Sequence, residues 1–237
     1  MMKKNNTCIL LLLLSTLPLI VIAQSNDWRL VWSDEFNTEG RLSPSVWNYE
    51  QGYARNEEAQ WYQPDNAVCK GGFLVIEARK EQGRRNPIYV RGSNDWRKKL
   101  EFVEYTSSSV TTAGKKEFLY GRFEVRARIP VAKGAWPAIW MLGSNMEWPS
   151  CGEIDLMEYY HIRGIPHVLA NAAWGTDKKW IAKWDSRAIP YSHFTNKDSD
   201  WASKFHIWRM DWDEEAIKIY LDAVSYTHLT LPTNSLV

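Results

Sequence analysis

Residues 120–129 constrain the fold more tightly than any other stretch. Phe123, Val125, Ala127 and Ile129 fall on one side of an extended chain, and Arg122, Glu124, Arg126 and Arg128 on the other. Wound into a helix, the two sets would mix around the circumference. In an antiparallel strand they separate into a core face and a face open to solvent or to a cleft. The rest of the chain from Trp28 reads as short strands and loops. A brief strand is expected at residues 30–32. Residues 67–69 and 73–78 read as a hairpin about Lys70-Gly71-Gly72, and residues 205–212 and 217–221 as a second hairpin, apolar on both faces and therefore buried. Residues 168–174 read as a further strand after a turn at 161–166. Residues 80–99, broken by Gly, Pro and Asn, read as a loop, and so do residues 175–200, rich in Trp, Lys and Asp. A loop as long as the second one is expected to wall a cleft. Together these readings predict one all-β domain.

The chemistry concentrates in Trp148-Pro-Ser-Cys-Gly-Glu153-Ile-Asp155-Leu-Met-Glu158-Tyr-Tyr160. On a regular strand Glu153 and Asp155 share a face, and Glu158 points the other way. One β-bulge near Leu156 or Met157 returns Glu158 to the face of the other two acids and leaves Ile154 with an apolar neighbour toward the core. Strand rise and side-chain reach then leave about 5–6 Å between the Glu153 and Glu158 carboxyls. That separation suits a retaining glycosidase, in which one carboxylate attacks the anomeric carbon and the other protonates the leaving oxygen. Asp155, between them, would bond to the nucleophile and push the pKa values of the pair apart. Two plainer readings are open on spacing alone: solvated carboxylates on an exposed sheet face, and a Ca²⁺ site.

Composition narrows the substrate. The chain has 29 basic and 28 acidic residues, a balance that offers no attraction to nucleic acid or anionic lipid. Its 14 Trp can fill a core, and their faces are also what pyranose rings stack on. The five His show no metal spacing, and no Gly-rich loop that would cradle phosphate is present. Cys151 lies close to Glu153 but has no base placed to activate it, so it reads as a small buried residue. Cys69 and Cys151 do not by their spacing establish a disulfide.

The flanks of the acid stretch carry a resemblance. Gly134-Ala-Trp136-Pro-Ala-Ile-Trp140-Met-Leu-Gly143, followed by Trp148-Pro-Ser-Cys-Gly-Glu-Ile-Asp-Leu-Met-Glu158, resembles glycoside hydrolase family 16. Within it the pattern is similar to the laminarinase-like branch, which carries Glu-x-Asp-x-x-Glu. Leu30-Val-Trp-Ser-Asp-Glu-Phe36 and Tyr120-Gly-Arg-Phe-Glu-Val-Arg-Ala127 match as well. The resemblance implies a β-jelly-roll sandwich, concanavalin A-like, with a concave substrate cleft. It also implies endo-β-glucan hydrolysis with retention, on β-1,3 or mixed β-1,3/1,4 chains. It assigns Glu153 as nucleophile, Asp155 as its helper and Glu158 as acid/base, and places Asn56, Trp140, Trp148 and Asn171 along the sugar. Trp136 shares a strand face with Trp140, and the two are either buried or floor a groove with Trp148 as substrate contacts. It implies no cofactor. A structural Ca²⁺ occurs in the family, but no residue here points to one. Many laminarinases carry a Thr-x-His pattern where this chain has Ala-Asn171-Ala-Ala-Trp174, which leaves the linkage open. The partner implied is a β-glucan polysaccharide, and a monomer is expected. A non-catalytic β-glucan-binding lectin and an enzyme acting on a galactan such as agar are the alternatives.

The ends of the chain read differently from its middle. Lys3 and Lys4 precede an apolar run and Val21-Ile22-Ala23, so residues 1–23 are expected to be a signal peptide cut near Ala23, giving a secreted or periplasmic protein. That run is short for a membrane span, and no later stretch qualifies. The resemblance covers residues 24–222 as the catalytic domain and ends at Asp222. Residues 223–237 fit no family segment and read as a non-native tail, so the last strands of the sandwich are expected to be missing and one sheet edge to stand open.

Overall fold

The computed structural model describes residues 28–222 and 224–229. The expectations for residues 1–23 and for positions 230–237 therefore lie outside the described residues. Residues 28–33 carry no regular structure. The strand expected at residues 30–32 is not formed, since three alternating residues are too few to hold a strand without a paired neighbour.

All fifteen described strands lie beyond Ser33. Seven are short: β1 (Asn48–Tyr49), β2 (Gln60–Tyr62), β3 (Ala67–Lys70), β4 (Phe73–Ile76), β5 (Arg79–Lys80), β6 (Tyr105–Ser107) and β7 (Val110–Thr111). β3 and β4 form the hairpin expected about Gly71-Gly72. Eight longer strands make the two main sheets: β8 (Gly121–Ala127), β9 (Ala138–Leu142), β10 (Glu153–Ile162), β11 (Ile165–Gly175), β12 (Ala182–Pro190), β13 (His206–Trp212), β14 (Ile217–Leu221) and β15 (Val224–Leu229). One sheet has the order β12-β11-β10-β9, the other β15-β14-β13-β8, and every pairing within them is antiparallel.

The two sheets pack face to face. Ile154, Leu156 and Tyr159 of β10 and Val168, Ala170 and Ala172 of β11 share one core with Trp208 and Met210 of β13 and Ile217, Ile219 and Leu221 of β14. On each strand the core residues alternate with others, as the pleat requires. The β13–β14 hairpin is therefore not apolar and buried on both faces as expected. Ile207, Arg209 and Asp211 alternate with the buried residues of β13 and are only half-buried, because its second face looks away from the partner sheet.

Two further expectations change. Residues 175–200 are not one loop: they contain β12 and a single helical turn at Ser192–Thr195. The edge of β14 is not open either, since β15 pairs along it from Leu221↔Val224 to Ile217↔Leu229, one strand beyond Asp222.

Candidate active site

The acids stand on β10, an inner strand flanked by β9 and β11. Against β11, Asp155 pairs with Asn171 and Glu158 with Leu169. Three steps on β10 thus oppose two on its neighbour. Against β9, Asp155 pairs with Trp140 and Met157 with Ile139, so Leu156 is the extra residue. This is the expected bulge. Leu156 and Met157 are both buried, and the strand loses its parity between Asp155 and Glu158. Glu153, Asp155 and Glu158 consequently share the face turned away from the core.

Each outer glutamate is held by an indole. Trp148 Nε1 donates to Glu153 Oε2 at 2.6 Å, and Trp136 Nε1 donates to Glu158 Oε1 at 2.8 Å. Asn171, opposite Asp155, bridges two acids: its Nδ2 donates to Asp155 Oδ2 at 3.0 Å and to Glu158 Oε2 at 2.7 Å. These donors are neutral, so they fix the carboxylates without cancelling their charge.

Electrostatics separates the three. Burial, then the charges of Glu158 and Glu153, push the Asp155 carboxyl up to about 8. At neutral pH Asp155 therefore holds a proton and shares it in a hydrogen bond with Glu153. Burial also raises Glu153, but Trp148, Asp155 and the positive charge of Arg55 pull it back. Glu158 is raised by burial and by the charge of Glu153, and is opposed only by the neutral donors Trp136 and Asn171. Both glutamates are thus raised, and only Glu153 has a cation, Arg55, among the groups that pull it back. An anionic carboxylate and a protonated one on a single face can attack a carbon from one side and protonate its leaving oxygen.

The loop before β10 brings Trp148 to its glutamate by close backbone packing. A Cβ added at Gly143 would lie 2.0 Å from the carbonyl oxygen of Cys151, and one at Gly175 would lie 2.9 Å from Ser150 Oγ. Only glycine lets the loop settle against β9 on one side and β11 on the other. Cys151 is buried in this packing and Cys69 is buried elsewhere. Both are free thiols.

The structure thus gathers Glu153, Asp155, Glu158, Trp136, Trp148 and Asn171 into one hydrogen-bonded group. Trp140 is the β9 partner of Asp155 and shares its face. Asn56 stands in a turn with left-handed backbone, φ 54°. Its neighbour Arg55 is the residue that reaches the site, with its guanidinium 5.1 Å over the Trp140 ring. Arg55 is ion-paired with Glu50, which also accepts from Ser109 Oγ. No spacing in the sequence marks Arg55, because it comes from a loop remote in the chain. Trp184 of β12 lies on the same face, as the partner of Ala173. Recognising β12 as a strand would have placed Trp184 on the open face by parity with Ser186. Among the described residues no three His, Cys, Asp or Glu are grouped as ligands for a metal ion.

Comparison with known proteins agrees with this geometry. The chain is 33% identical over 220 residues to a beta-glucanase of Rhodothermus marinus, covering 84% of this chain and 64% of that protein, so it spans less than two thirds of the relative's length. Its fold superposes with a TM-score of 0.74 at 35% identity on a structure described among endo-acting O-glycanases that members of the human gut microbiota express to initiate mucin breakdown. That match covers 87% of this chain and 73% of the other. The catalytic domain of an endo-1,3-beta-glucanase (laminarinase) from Thermotoga petrophila RKU-1 matches with a TM-score of 0.66 at 36% identity, over 86% and 77% of the two chains. Residues 82–235 match the family described as glycosyl hydrolases family 16. With the bulged acid strand in place between its two indoles, the chain belongs to glycosyl hydrolases family 16.

Proposed function

We propose that this protein is an endo-acting β-glucanase that cleaves internal β-1,3, or mixed β-1,3/1,4, glucosidic bonds with retention of configuration. One observation carries the reading: the bulge at Leu156 sets Glu153 and Glu158 on one face with Asp155 between them. Glu153 attacks the anomeric carbon while Glu158 protonates the leaving oxygen. Asp155 donates a hydrogen bond to Glu153, which limits the negative charge on the nucleophile until attack and can follow it as the glycosyl ester forms and breaks. Glu158, deprotonated by the first step, then takes a proton from the water that releases the sugar. No cofactor enters this sequence. The near-neutral charge of the chain suits a neutral polysaccharide, and the names of the relatives in Rhodothermus and Thermotoga support glucan as its class. Residues 1–23 are proposed to export the protein, which sequencing the amino terminus of the secreted form would check.

A second substrate reading is favoured by one observation. The match to the mucin O-glycanase structure has the higher TM-score of the two structural matches, 0.74 against 0.66. The same catalytic group would serve such a glycan.

Product analysis separates the readings. The protein is incubated with laminarin, mixed-linkage glucan, agarose and mucin glycans, and NMR follows the configuration of the fresh reducing end. Retained β configuration and internal cleavage of laminarin or mixed-linkage glucan are expected. An inverted product would overturn the mechanism, and cleavage of mucin glycans alone would move the substrate. Glucan binding without cleavage would make the protein a lectin.

A further inference from the structure

The sheet carries a row of paired residues across all four strands. Leu142 of β9 pairs with Glu153, Glu153 with Ala173 of β11, and Ala173 with Trp184 of β12. Paired residues on neighbouring strands point to the same face. Trp184 therefore shares the face of Glu153, two strands away, at roughly 9–10 Å. Parity along β12 agrees. Ile189 packs against the core, which puts the odd-numbered residues of the strand inward and Trp184, Ser186 and Ala188 outward. Ala173, between Trp184 and Glu153 in the row, is small and fully covered.

Trp184 is 49% exposed on the edge strand of the sheet, within a paired row rather than at a loop tip. The loop that carries Trp148 approaches the same end of the sheet: Ser150 abuts Gly175, whose β12 partner is Ala182, and Lys179 lies 3.8 Å from Glu147. Trp148, already hydrogen-bonded to Glu153, and Trp184 thus border one stretch of the open face. The distance from Glu153 is that of about two pyranose rings laid end to end, given ordinary bond lengths.

We propose that Trp184 is a sugar-stacking platform at the β12 edge of the open face, binding the ring about two units from the bond that is cut. The proposal deepens the reading of the site as a polysaccharide hydrolase and rests on it for the class of ligand. Trp184 acts on binding and length preference, and it touches no reacting atom.

Two measurements on the full chain test it. In the first, Trp184→Ala is compared with the parent on β-1,3-gluco-oligosaccharides of increasing length. The parent gains rate once the oligosaccharide is long enough to cover Trp184. The variant loses that gain, with KM on laminarin up roughly five- to tenfold, the scale of one aromatic contact, and kcat changed far less. Trp184→Phe recovers most of the loss. In the second, Glu153→Gln and Glu153→Gln/Trp184→Ala are run in native gels cast with laminarin, mixed-linkage glucan or mucin, where retardation reads binding without turnover. The single variant is retarded by at least one polymer, and the double variant is retarded roughly five- to tenfold less at equal polymer concentration. Equal retardation of the two variants, or no retardation in any gel, overturns the platform. Undiminished hydrolysis by Glu153→Gln would instead overturn the assigned nucleophile, and the gels would still decide Trp184.

Discussion

Two strands of this sandwich carry charge in opposite ways. On β13, Asp211 meets Arg122 of β8 through two hydrogen bonds, Arg122 Nε to Asp211 Oδ1 at 2.7 Å and Arg122 Nη2 to Asp211 Oδ2 at 2.8 Å. The pair lies directly across the ladder, and its carboxylate is neutralised where it stands. On β10, three carboxylates sit on one face and receive hydrogen bonds from two indoles and one amide. The nearest cation, Arg55, is ion-paired with Glu50. The first arrangement spends its charge on holding two strands together. The second keeps its charge unspent, at the expense of raised carboxyl pKa values. A carboxylate on a strand thus reveals its purpose by its partner: a guanidinium marks a brace, and a neutral donor beside a second acid marks a reactive group.

Substitutions can break this contrast in order of expected effect. Glu153→Gln removes the proposed nucleophile and should lower kcat by about 10⁴-fold or more while the protein still binds glucan; steady-state kinetics on laminarin checks it. Glu158→Gln should cost about 10²–10⁴-fold on laminarin. In kcat/KM, which reports the glycosylation step, it should cost much less on an activated aryl glycoside, whose leaving group needs no proton. A loss equal on both substrates would show that Glu158 is not the acid.

Asn171→Ala should reduce kcat/KM by about 10- to 100-fold, since the lost donor serves two acids at once. Asn171 stabilises the charged forms of Asp155 and Glu158, so its removal raises both pKa values further. The alkaline limb of the pH–rate profile, where Glu158 must stay protonated, should shift upward. An unshifted limb would detach Asn171 from the proton inventory.

Asp155→Asn separates stability from activity. Folded Asp155 holds its proton up to about pH 8, whereas the unfolded group releases it near 3.8. Between those values the folded state binds more protons, so stability falls as pH rises. The asparagine variant escapes that fall. Its Tm relative to the parent should climb by several degrees from pH 5 to pH 8.5, while its activity drops. Arg122→Ala should behave oppositely, losing about 1–2 kcal/mol of stability in urea melts with kcat unchanged. A drop in kcat there would erase the distinction between brace and reactive group.

Much of this site was legible because parity is strict. Residues five apart, as Glu153 and Glu158 are, cannot share a strand face without one extra residue, so the acids themselves call for a bulge. Asn171, read from the resemblance as a sugar contact, lies opposite Asp155 and donates to two of the acids. β12 was hidden for a physical reason. It is an edge strand with Lys183, Asp185 and Arg187 on the face toward the core side and Trp184, Ser186 and Ala188 on the other, so neither face shows an apolar period. Charged edges of this kind discourage pairing with other chains and blur the sequence signal by the same means. Arg55 was hidden because its position over Trp140 is a long-range contact that no local pattern encodes.

Gly143 carries a consequence for how such a site can vary. With a backbone oxygen 2.0 Å from where any side chain would begin, the base of the Trp148 loop is riveted to β9. Its tip can change length or chemistry and so retune which sugar is admitted, but the rivet itself has no tolerated alternative. Residues 144–147 are then the part of the loop that can drift while the anchorage of Trp148 beside Glu153 stays fixed.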